Sequence, residues 1–231
     1  MYVWDETEGG RGLQDVASCV AKHLKGNAGT HHQVILYCDS CTGQNRNIKM
    51  GPTFLRFVQD PRVAVKTIDL KFMVSGHSFL PNDAEFGVIE SASKKQQNIF
   101  VPQDWFDIVR NAKRRNPRFT VLEMQRHEFK STAALEEAVS NRKKDIDNGP
   151  VNWLKIRWLR FEKGQECILS FKESLNDVLP LRKVNLTKKR NVGRPLLSLL
   201  NIQQESLYND RRLVTLEKKK YAGLVALHPS S

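Results

Sequence analysis

No apolar run in this chain approaches the roughly 20 residues needed to cross a bilayer. The N-terminus, MYVWDETEGG, has neither the basic region nor the apolar stretch of a secretory signal. These absences read as an intracellular protein. Cysteine is scarce, with four in 231 residues (Cys19, Cys38, Cys41 and Cys167), and in such a compartment they are expected to be reduced or metal-bound, not a disulfide framework. With 40% hydrophobic and 27% charged residues, wholesale disorder is excluded, and the length suits one large domain or one domain with an appendage.

Acid is short in one part only. Residues 1–100 hold 11 Lys+Arg against 10 Asp+Glu, whereas residues 101–231 hold 26 against 15. Nearly all of the net charge of +12 therefore belongs to the second part, which has the form of a polyanion-binding face or tail. A solvated lysine-rich surface is the plainer reading of the same numbers.

Periodicity predicts alternating elements. Leu13, Val16, Ala17, Val20, Ala21 and Leu24 mark an amphipathic helix over 12–25. Val34 to Asp39 reads as a buried strand bounded by turn formers. A helix is expected near 48–58, interrupted by Gly51-Pro52, where Pro52 suits a first turn better than an interior. Thr67 to Val74 is the next strand, and helices follow from Pro81 to about Lys95 and from Pro102. This order describes an α/β domain with helices covering a sheet. Further on, Tyr2–Trp4 and Phe119–Met124 suggest strands and Ala133–Val139 a helix. Val151–Phe161 and Glu166–Lys172 suggest a hairpin about Lys163-Gly164, and from Leu181 a looser basic tail closes with a helix near Leu213–Leu227.

The chemistry concentrates after two strands. Asp39 stands at the C-terminal end of its strand, where open α/β sheets place ligands. After the next strand, GHSFLPNDAEFGVIE offers His77, Asp83, Glu85 and Glu90. Carboxylates meeting there can hold Mg²⁺, a hard cation that takes oxygen ligands, in phosphoryl transfer. Acidic residues at such places also serve as helix caps. Cys38 and Cys41 form C-x-x-C, half of a zinc site whose other half has no recognisable spacing; the alternative is a core-facing Cys38 and a turn Cys41. Gln44, Asn45 and Asn47 can hold a turn or approach phosphates, and His77 can be a turn histidine or a general base. KKRNVGRP carries Lys188, Lys189, Arg190 and Arg194 around a Gly-Arg-Pro core like that of a minor-groove hook, without the arginine that normally precedes it. Trp153 and Trp158 alternate with Lys155, Arg157 and Arg160; five apart on a strand they would face opposite sides, so at least one is expected in the core.

Taken together, YVWDETEGGRGLQDVASC, LYCDSCTGQNRN, FMVSGHSFLPNDAEFGVIE and IFVPQDWFDIV resemble transposon-derived proteins of animals, notably insects. Those proteins carry an uncharacterised domain expected to have an RNase H-like fold of the DDE transposase/integrase type. The motifs D-x-C-x-G-Q-N-[KR]-N and G-H-S-x-x-x-x-D-x-x-F-G appear as Asp39 to Asn47, with Arg46 in the basic position, and as Gly76 to Gly87. The resemblance covers roughly residues 2–130. It implies an RNase H-like mixed sheet flanked by helices over residues 1–145; the charge and the hairpin-and-tail pattern make residues 146–231 a basic α+β extension of it. The resemblance further implies Mg²⁺-dependent chemistry on DNA in the nucleus, with Asp39 as the second acid and Asp83 as the third, Glu85 and Glu90 being substitutes. The first acid is expected on a strand upstream of Tyr2. The domain is therefore expected to be N-terminally truncated, and its activity stays open against a non-catalytic nucleic-acid-binding remnant and a zinc-stabilised interaction module.

Overall fold

In the computed structural model, which describes residues 1–38, 50–73, 80–96, 98–188 and 198–213, the elements follow in the order β1 (Tyr2–Val3), α1 (Leu13–Asn27), β2 (Gln33–Cys38), α2 (Gly51–Gln59), β3 (Thr67–Phe72), α3 (Pro81–Ser93), α4 (Pro102–Asn111), β4 (Leu122–Glu123), α5 (Ala133–Ala138), β5 (Trp158–Glu162), β6 (Ile168–Lys172) and β7 (Arg182–Asn185). Short 3₁₀ turns lie at Arg126–Glu128 and Leu199–Asn201. The fold is mixed α/β. Among the described residues no helix is long and apolar enough to cross a membrane.

The chain divides into two units. One comprises Arg11–Phe86 and Lys130–Glu205, the other Met1–Gly10, Gly87–Phe129 and Ser206–Ser231. The first is built on a five-stranded sheet in the order β2-β3-β5-β6-β7. β2 and β3 are parallel, and β5, β6 and β7 each run antiparallel to the preceding neighbour. The strands after residue 146 thus belong to the same sheet as those before residue 145, and the basic region expected as an appendage supplies three of the five strands.

Side-chain alternation makes this sheet two-faced. Ile68, Leu70, Phe72, Leu159, Phe161, Leu169, Phe171 and Val184 point to a buried face. Against it packs α2, whose Phe54, Leu55, Phe57 and Val58 are buried, and α1 adds Ala17 and Leu24. Gly51-Pro52 does not break this helix. Gly51 opens it and Pro52 occupies the first turn, where a missing N–H costs no hydrogen bond. α1 is fixed by polar ties as well: Asp15 accepts the Gly12 N–H at 3.0 Å, Gln14 accepts that of Thr132 at 2.8 Å, and Ser18 accepts that of Lys130 at 2.9 Å. The β5–β6 turn forms where expected, with Gly164 at φ +83°, a left-handed conformation that glycine adopts without a Cβ clash.

The second unit contains β1 and β4, paired in parallel with Tyr2 opposite Leu122 and Val3 opposite Glu123. The strand suggested over Tyr2–Trp4 is thus formed over Tyr2–Val3, in a two-stranded ribbon separate from the five-stranded sheet. Around it Trp4 meets the buried Phe129 edge-on with ring centroids 5.5 Å apart, and Phe129 meets Tyr208 at 6.1 Å. Gly9 lies so close that a Cβ there would come within 2.6 Å of the Phe129 ring. In α4, Phe106, Ile108 and Val109 are buried.

Candidate metal and nucleic-acid site

β2 and β3 lie side by side in parallel, with Cys38 opposite Phe72, and the Met73 N–H donates to the Cys38 carbonyl at 2.8 Å. Their C-terminal ends therefore open at the same edge of the sheet. That edge is where α/β sheets bind ligands, because strand ends and the helix starts that follow converge there. Asp39 is the next residue after Cys38. Asp39 itself, Cys41, Gln44, Asn45, Arg46, Asn47, His77, Lys189, Arg190 and Arg194 lie outside the described residues, as does all but the first residue of the helix expected near Leu213–Leu227.

Asp83 lies in the first turn of α3, which follows β3. It is exposed, and its Oδ2 accepts the Leu80 N–H at 2.9 Å, so one carboxylate oxygen caps the helix. Glu85 is half-buried on the same helix. Glu90 stands seven residues beyond Asp83, about 10 Å along the helix axis, so the two carboxylates do not face a common ion. Its Oε1 pairs with Lys94 Nζ at 2.8 Å, and that hydrogen bond and charge hold the Glu90 carboxyl below its ordinary value. Among the described residues no group of three or more His, Cys, Asp or Glu side chains is placed to share a metal ion. Cys38 is half-buried and packs toward the core, its Sγ 3.7 Å from the Lys71 carbonyl, which is the core-facing arrangement weighed against zinc. Lys188 is half-buried beyond the end of β7.

The sheet face opposite the core holds an acid that the sequence did not single out. Asp69, fully buried on β3, receives Trp158 Nε1 (2.7 Å) and Arg160 Nε (2.7 Å) on Oδ1. Its Oδ2 receives Arg160 Nη2 (3.1 Å) and Gln33 Nε2 (2.8 Å). Register explains the grouping: Asp69 is opposite Arg160, and Lys71 opposite Trp158. Burial pushes the Asp69 carboxyl up, but the three hydrogen-bonding partners and the charge of Arg160 outweigh it and hold the group below its ordinary value. With four donors on two oxygens this carboxylate is committed to the sheet, which leaves it unsuited to ligate a cation or take a proton. Above it, Lys71 Nζ sits 3.7 Å and Lys172 Nζ 4.2 Å from the Trp158 ring centroid. Trp158 is 5% exposed, so it is no open stacking platform. Trp153 lies in a turn before β5, half-buried, with Nε1 donating to the Arg142 carbonyl at 3.0 Å.

Comparison with protein-family models, with curated proteins and with solved structures returned no match.

Proposed function

We propose that the chain is a transposon-derived, DNA-binding protein whose first-described unit is RNase H-like, with a Mg²⁺ site at the C-terminal ends of β2 and β3. The observation that carries this is the in-register parallel pair, whose two ends feed Asp39 on one side and the Asp83 helix on the other. The donor chemistry fits magnesium. Asp83 is an exposed carboxylate with one oxygen engaged by Leu80, and carboxylate oxygen is the ligand that this ion prefers. Asp39 and Asp83 would hold the ion; when bound, it supplies charge neutralisation for phosphoryl transfer. Gln44, Asn45, Arg46 and Asn47, together with Lys188, Lys189, Arg190 and Arg194, are the groups proposed to meet the nucleic acid. A nuclear location follows from a DNA partner.

A second reading keeps the DNA binding and drops the catalysis. It is favoured by one observation, that Asp83 and Glu90 each already serve the helix they stand on. Zinc at Cys38 and Cys41 is less well supported, since Cys38 packs on the core.

The shared claim is tested by titrating a labelled DNA duplex with the purified chain at several salt concentrations. Binding should weaken steeply with salt, log K falling by about 0.9 per log unit of salt for each phosphate neutralised. Binding that is absent at low salt, or indifferent to salt, would overturn both readings. Strand cleavage in Mg²⁺ that disappears in Asp39→Ala separates them, favouring the first.

A further inference from the structure

The segment 139–151 runs beside β7 and is fastened to it at two points, the Ser140 N–H donating to the Leu186 carbonyl (2.7 Å) and the Ile146 N–H to that of Lys183 (2.9 Å). Between and beyond these ties Asp145, its side chain 3% exposed, organises the turn. Its Oδ1 accepts the N–H groups of Asp147 (3.0 Å) and Gly149 (2.6 Å), and its Oδ2 accepts Arg182 Nε at 2.8 Å. Arg182 also donates to the Pro150 carbonyl at 2.7 Å, and Arg142 to the Thr187 carbonyl. One carboxylate and two arginines are thus used to shape the backbone. Lys143 and Lys144 remain exposed on it and, with Asn148, Asn185 and the 53%-exposed Ile146, border an open groove of about 530 Å³. Lys183 is exposed two residues before Asn185, on the same face of β7.

We infer that this groove binds the phosphodiester backbone of nucleic acid, with Lys143 and Lys144 as its principal phosphate contacts. The inference rests on the DNA-binding reading and adds to it a place. Four properties support it. Lys143 and Lys144 line the groove side by side, and Lys183 is exposed on β7 at the residue to which Ile146 is tied; several neighbouring point charges match a chain of phosphates better than a single ion. Lysine is a compact point charge suited to phosphate, and the Asn148 and Asn185 amides can donate to phosphate or sugar oxygens. Asp145, the carboxylate lining the groove, is neutralised by Arg182, which leaves the exposed Asp147 as the opposing charge within the turn. The backbone is also already held by hydrogen bonds, so little ordering is required on binding.

The test compares the wild-type chain with the double variant Lys143→Glu/Lys144→Glu and a control, Lys25→Glu/Lys66→Glu, which reverses two exposed lysines on other elements. Binding to a labelled DNA duplex is measured by anisotropy across a salt series, with unfolding midpoints showing that each variant folds. The groove variant should bind at least about tenfold more weakly, with a salt slope shallower by about 2, corresponding to two phosphates at about 0.9 each. The control should stay near the wild-type slope. If charge reversal prevents folding, Lys143→Gln/Lys144→Gln should show the same direction of change. Wild-type binding with no loss in the groove variant, or equal loss in both pairs, overturns the groove and leaves the DNA reading standing. No binding by the wild type overturns both. Poly-glutamate competing as well as DNA overturns the phosphodiester assignment alone.

Discussion

Replacing Phe161 with alanine is expected to lower the unfolding free energy by about 4 kcal/mol, within the range of about 3–5 kcal/mol for truncating a buried aromatic. Phe161 is fully buried on β5, opposite Ile68 of β3, and its ring centroid lies 5.2 Å from that of Phe54 on α2. It therefore sits where the helical layer meets the middle of the sheet. Removing the ring takes away its transfer free energy and leaves a cavity that strands on both sides prevent from collapsing. Domains of this size are stable by about 5–15 kcal/mol, so the variant should lose a large share of its stability. Urea denaturation should show a much lower midpoint at an unchanged slope. Phe86, an aromatic that is 60% exposed, is the comparison: Phe86→Ala should shift stability by about 0.5 kcal/mol or less. A loss below about 1 kcal/mol at Phe161 would mean that the sheet and α2 do not share this core.

Asp69→Ala is expected to cost about 3 kcal/mol, the lower end of the range for breaking a buried ion pair by removing one partner. The lower end applies because the Arg160 side chain is 27% exposed while Asp69 is fully buried, so water recovers part of what the guanidinium loses. The Trp158 N–H and the Gln33 amide also lose their acceptor. The same carboxylate gives the fold a pH dependence of defined sign. Its folded-state value lies below its ordinary one, so its contribution is fully present above the unfolded value of about 3.9. It is lost as pH falls through the lower, folded-state value. Urea midpoints should therefore fall on acidification below about pH 4 more steeply in the wild type than in Asp69→Ala. Parallel acid profiles would contradict this account of Asp69.

What was legible in the sequence follows from what leaves a local trace. The six apolar positions of α1 specify a helix by their period, and the short uncharged run of β2 specifies a strand by its bounding turn formers; both formed within two residues of expectation. β2 is not the buried strand expected, because it lies at the edge of the sheet with Ile35 and Tyr37 exposed. The hairpin about Gly164 was marked by its turn residue. β7 was not legible, because RKVN offers one apolar residue in four and a short edge strand needs no more; Val184 is fully buried nonetheless. Strand order leaves no local trace either. The expected extent of the RNase H-like domain put a boundary near residue 145, yet β3 hydrogen-bonds to β5 across more than 80 residues of sequence.

The candidate site shows the same division. Asp83 is where motif and helix start agree, and its hydrogen bond to Leu80 is the capping role that acidic residues often have at such places. Asp69 was missed because a single acid within TIDLKF gives no hint of its partners, which come from β2 and β5 and are brought to it only by register. One of Trp153 and Trp158 was expected in the core, and Trp158 is the buried one. Of the cations that alternate with it in sequence, Arg160 holds Asp69, while the lysines over its ring, Lys71 and Lys172, come from β3 and β6.

The proposal that Asp39 and Asp83 hold one divalent cation at the ends of β2 and β3 is tested directly by metal titration. Mn²⁺ stands in for Mg²⁺ at oxygen sites, and its electron paramagnetic resonance signal distinguishes free from bound ion without requiring catalysis. Titrating the full chain with Mn²⁺ should give saturable binding that Mg²⁺ competes away and that Asp39→Ala and Asp83→Ala each abolish or weaken severely. Mn²⁺ binding that is absent in the wild type, or unchanged in both variants, would contradict it.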